Sequence, residues 1–188
     1  MKTLRITVCA LLCLAFALAL VSCKSGESAG VPDGYQLVGA KGTSESERGV
    51  LAEGKDYYLY VPSSWTVDIN NAAASAFAAD DENTSVSVMT WTAAEGETPA
   101  DCWDSYVKEF ESVYKDFAVE KREDVTLDGA AAYCVTFTGS LGETALRFRQ
   151  VTAIKGGLVY LLTYTSHADT FDAHAADFDA ILGCFRFK

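Results

Sequence analysis

The segment that most constrains the fold is Leu158 to Ser166, Leu-Val-Tyr-Leu-Leu-Thr-Tyr-Thr-Ser. Successive side chains of a strand point to opposite faces, so a strand apolar at both odd and even positions must be covered on both sides. It closes a run that reads as an antiparallel meander. Val119 to Leu127 is a strand, Asp128-Gly129 is a strong hairpin signal, and Ala130 to Thr138 returns. Gly139-Ser140-Leu141-Gly142 turns the chain into Glu143 to Ile154, and Lys155-Gly156-Gly157 turns it again.

Shorter strands come earlier: Tyr35 to Ala40, Tyr57 to Val61, Trp65 to Ile69, Ala74 to Ala79 and Thr84 to Ala93. The last of these alternates, with Val86, Val88 and Thr90 on one face and Met89 and Trp91 on the other. Thr98 as N-cap, Pro99 at the first helical position and Asp101 in the first turn then open a helix. Trp103, Tyr106, Val107, Phe110, Val113, Tyr114 and Phe117 form its single apolar stripe. A second helix runs from Asp169 to Leu182, with Phe171, Phe178, Leu182 and Phe185 on its buried stripe and Gly183 as a C-cap. Two helices far apart in sequence and a sheet buried on both faces predict an α+β fold, a three-layer α/β/α sandwich with a central, mainly antiparallel sheet.

The first 23 residues carry an address. Lys2 and Arg5 precede an apolar run, Ile6 to Val21, that is shorter than the roughly 20 residues of a spanning helix. A cationic head, an apolar stretch and small residues make a secretory signal. It ends Leu20-Val21-Ser22-Cys23, which resembles the bacterial lipobox; that resemblance implies a diacylated Cys23 as the mature N-terminus. Residues 1–22 are then the signal, 23–34 the lipidated cysteine and a flexible tether, and 35–188 one globular domain. Losing Lys2 and Arg5 leaves 13 cationic against 26 acidic side chains, a net charge of −13. Such a field disfavours nucleic acid and points to membrane contact through acyl chains rather than a basic patch. With Cys23 acylated, Cys102, Cys134 and Cys184 remain, an odd set that reads as small buried hydrophobes.

Tyr58-Leu59-Tyr60-Val61-Pro62-Ser63-Ser64-Trp65, the turn Leu127-Asp128-Gly129, and Tyr160-Leu161-Leu162-Thr163-Tyr164 leading to Phe171, Phe178, Ile181, Leu182 and Phe185 resemble the PsbP-like superfamily. That superfamily includes the extrinsic P subunit of photosystem II and a Ran-binding import adaptor. The resemblance implies the sandwich fold and a scaffolding, docking or assembly role, and brings no catalytic motif.

Several residues are weighed for chemistry. His167 and His174, two turns apart if both are helical, lie about 10.5 Å apart along the axis, too far to share a metal. Cys102 sits near a helix N-terminus, where the dipole would lower its pKa. Asp80-Asp81-Glu82-Asn83 reads as a solvated turn before a calcium loop. Arg147 and Arg149 share one face of an apolar strand, to pair with acids or to accept an anionic group. Tyr57, Tyr58 and Tyr60 cannot all face inward, and an exposed cluster would mark a docking patch.

The expectation is a membrane-anchored extracytoplasmic lipoprotein acting as a non-catalytic binding or assembly module. It is not an enzyme and carries no cofactor or metal. Its partners are the membrane, through the lipid anchor, and an envelope protein. A small-ligand carrier and an envelope hydrolase with a carboxylate site are the alternatives.

Overall fold

The computed structural model describes residues 31–38, 57–68 and 74–188; the expected signal, Cys23 and most of the tether lie outside them. Three short strands come first: β1 (Tyr35–Leu37), β2 (Tyr57–Tyr58) and β3 (Tyr60–Pro62). They are followed by β4 (Thr66–Asp68), β5 (Ala74–Phe77) and β6 (Ser85–Thr92). Helix α1 (Pro99–Val113) leads into β7 (Lys115–Leu127), β8 (Ala130–Leu141), β9 (Thr144–Lys155) and β10 (Leu158–His167). A 3-10 turn (Phe171–Ala173), helix α2 (Ala175–Cys184) and β11 (Arg186–Phe187) close the chain.

The main sheet has seven strands in the order β4-β5-β6-β10-β9-β8-β7, with every described pairing antiparallel. β1 pairs with β3 and β2 with β11, each as a separate two-stranded sheet. The meander is pinned by its turns. Asp128 and Gly129 have φ of 45° and 76°, and Gly156 and Gly157 have 59° and 77°. Two successive positive φ values match the right-handed twist of the strands they join.

Pleating then sorts the core. On β8 and β9, Val135, Phe137 and Phe148 meet Trp103, Tyr106 and Phe110 of α1. Cys134, Val151, Leu162 and Tyr164 belong to a larger cluster with Phe178, Ile181 and Phe185 on and beyond α2. Val159 and Leu162 of β10 are both fully buried, as its two-sided apolar pattern requires.

α1 begins as expected. Thr98 accepts from the Asp101 backbone N–H, and the Asp101 carboxylate accepts from the Thr98 N–H, a reciprocal capping box. It ends sooner than its stripe suggests. Tyr114 is extended and Asp116 has φ of 55°, so Phe117 belongs to β7. Both rings still reach the α1 cluster: Tyr114 lies 5.0 Å from Phe148 and Phe117 lies 5.3 Å from Phe137, centroid to centroid. α2 starts at Ala175 rather than Asp169, because the Tyr164 hydroxyl donates to the Phe171 carbonyl and His174 has non-helical φ and ψ. Gly183 lies inside the last turn, and Phe185, not Gly183, closes the helix through its N–H to Ile181. The turn placed at Gly139 to Gly142 is also shifted: β8 runs on to Leu141.

Candidate functional site

The two arginines of β9 are held by acids. Arg147 places Nε 2.8 Å from Glu120 Oε2 and Nη1 3.3 Å from Asp172 Oδ1, with its guanidinium 4.5 Å above the Phe171 ring. Arg149 puts Nη1 2.6 Å from Asp179 Oδ1 and lies 5.5 Å from the Phe178 ring centre. A planar guanidinium can stack on a ring while its edge binds a carboxylate. Each arginine therefore ties the sheet to the segment that carries α2. On the opposite face Arg122 does the same for α1, 4.6 Å from the Trp103 ring and 3.0 Å from Asp104.

The histidines do not share a helix. His167 ends β10, and His174 caps α2. His174 places Nδ1 2.9 Å from Asp177 Oδ2 and Nε2 3.3 Å from Asp80 Oδ1, with its ring edge-on to Trp65. Asp80 stands in the turn expected to be solvated, and that turn is an organised one. Asp81 accepts from the Asn83 N–H and from the Thr84 and Thr170 hydroxyls. The Thr84 donor above all holds its carboxyl below the ordinary carboxylate range. The buried Ser166 hydroxyl bridges Thr84 and Thr170, 2.7 and 3.2 Å away.

All three described cysteines are buried. The expected activation of Cys102 by the helix dipole is reversed: burial pushes its thiol up to about 11, with Glu97 adding to the rise. Burial also raises Cys134. A thiol shifted this way carries little thiolate at neutral pH and is a poor nucleophile.

The expected exposed tyrosine cluster does not form. Tyr57 stacks on Phe185 and Tyr60 is 2% exposed; Tyr58 alone faces outward, 38% exposed. Tyr57 also meets Tyr160 edge-on, and its strand pairs with β11, a strand the sequence reading did not include. The Lys188 ammonium lies 4.9 Å from the Tyr58 ring centre.

Sequence reasoning also missed Gln150. This buried residue accepts from Trp103 Nε1 at 3.2 Å and Tyr106 Oη at 3.5 Å and donates to Thr163 Oγ1, satisfying the polar atoms between α1 and the sheet. A lone Gln in an apolar strand was the available signal. A cleft of about 200 Å³ lies between the first turn of α1 (Thr98, Pro99, Ala100) and Asp124, Ala131 and Tyr133 of the β7–β8 hairpin. Among the described residues, no three His, Cys, Asp or Glu side chains gather as metal ligands.

A seven-stranded antiparallel sheet with two helices, each tied to it by arginine bridges, defines a class of small α+β domains. Residues 58–187 match the model of the PsbP-like protein family, and the chain belongs to that family. No curated protein matches it. The cyanobacterial PsbP (CyanoP) of Synechocystis sp. PCC 6803 is similar in structure, with 14% identity and a TM-score of 0.59 over 88% of this chain and 98% of that one. LpqN of Mycobacterium tuberculosis, involved in cell envelope biogenesis, gives 15% identity and 0.56 over 70% and 83%. The Ran-binding protein Mog1p of Saccharomyces cerevisiae gives 7% and 0.53 over 72% and 92%. At these identities the likeness is one of fold.

Proposed function

We propose that this chain is a lipid-anchored, extracytoplasmic binding or assembly module without catalytic activity, its domain a three-layer α/β/α sandwich docking an envelope protein. One observation carries the non-catalytic reading. The groups with most chemical potential are committed to structure: Arg147 and Arg149 in ion pairs, His174 between Asp80 and Asp177, and Cys102, Cys134 and Cys184 in the core. The fold is consistent with it, since a PsbP-like fold serves Ran binding in Mog1p and occurs in LpqN, an envelope-biogenesis protein. The anchor rests on Leu20-Val21-Ser22-Cys23.

Palmitate labelling and cell fractionation of the wild type and Cys23→Ser in the native host test the anchoring. Label and membrane association should both disappear in the variant. Unchanged labelling and fractionation would sink the proposal.

A further inference from the structure

His174 is placed between two carboxylates contributed by different parts of the fold. Asp177 lies in the first turn of α2, and Asp80 lies in the turn joining β5 to β6, 94 residues away in sequence from His174. Ionised carboxylates only accept hydrogen bonds, whereas a neutral imidazole has one N–H and one lone pair. The ring can therefore serve both acids only as imidazolium. In the neutral form one nitrogen turns a lone pair toward an anion. The contact to give way is the one to Asp80, whose side chain is 78% exposed and whose distance is the longer, while Asp177 is fixed on the helix.

From this geometry we propose that His174 is a pH-operated clasp: protonated, it fastens the β5–β6 turn to the start of α2, and on deprotonation it releases that turn. The charged groups facing the ring are Asp80 on the turn and Asp177 on α2; Asp81 on the turn is committed to Thr84 and Thr170, and Asp172 on the 3-10 turn to Arg147. The neighbouring contacts define what moves. Asp81 to Thr170 and Thr84 to Ser166 tie the same turn to the end of β10 and the residues after it without any histidine, so release at His174 loosens the junction rather than unfolding it. The turn's own N–H to carbonyl bonds, Thr84 to Asp81 and Ala78 to Thr84, and the Phe178 to His174 bond at the start of α2 are the local reporters.

The experiment is amide hydrogen exchange by NMR, corrected for intrinsic exchange rates, on the wild type, Asp80→Asn and His174→Gln at about pH 5 and about pH 8. The chain has two histidines, so His167 serves as an internal comparison. Protection at the Thr84 amide should fall about fivefold in the wild type between the lower and the higher pH, the loss expected for one charge-assisted bond. It should be independent of pH in Asp80→Asn, an exposed substitution the fold tolerates. His174→Gln should match the wild type at about pH 8. Equal wild-type protection at the two pH values, or the same fall in Asp80→Asn, overturns the proposal.

Discussion

Gly139 lies within β8, where an added Cβ would stand 2.6 Å from the Cβ of Tyr114, the residue that ends α1. Tyr114 Cβ is bonded to its own backbone and cannot swing away, so the glycine sets how closely the helix end approaches the sheet. Gly139→Ala should cost about 1–3 kcal/mol of overpacking, read as a lower midpoint in urea with an unchanged m-value. Full stability in that variant would show that the α1 end is free to shift. Asp81 offers a pH test. Its folded pKa is depressed chiefly by the Thr84 hydroxyl, so the stabilisation exists above the unfolded carboxylate range and is lost as pH falls through the folded value. Asp81→Asn should therefore lower Tm by more at pH about 7 than at pH about 2, as the wild type loses this stabilisation on acidification. An equal deficit at both pH values would contradict the assignment.

At the scale of elements, the capping box of α1 is the clearest local signal in the chain. Thr98→Ala should cost about 1 kcal/mol, seen as a Tm lower by about 2–4 °C in a domain of this size; no change would mean that packing alone sets the helix start. That start was legible because capping chemistry is local, and so were the Asp128-Gly129 and Gly156-Gly157 turns, which demand positive φ. The helix end was not. Tyr114 and Phe117 continue the helical spacing although the chain has become extended, because strand and helix deliver both rings to the same aromatic cluster. Gly139 looked like a turn for a related reason. Its lack of a side chain serves a close approach, which a sequence does not distinguish from a bend. The start of α2 depended on the Tyr164 to Phe171 bond, a tertiary contact that no local pattern announces. Among site residues, the pairing of Arg147 and Arg149 was readable from two charges on an apolar strand. Gln150 and the Asp81–Thr84–Ser166–Thr170 network were not, since each joins segments distant in sequence.

For the molecule as a whole, the sheet separates two apolar clusters, one under α1 and one with α2. Phe137 belongs to the first and Phe178 to the second. Phe137→Leu and Phe178→Leu should each cost about 1–2 kcal/mol, and in denaturant unfolding the double variant should equal their sum within about 0.5 kcal/mol. A larger coupling would mean that the sheet transmits strain between its faces.

The role proposed for this domain is to hold an envelope protein. Cross-linking of intact cells followed by mass spectrometry measures that directly. The same extracytoplasmic protein should recur in replicate experiments, joined to residues of the PsbP-like domain. Replicates in which no protein recurs would contradict it.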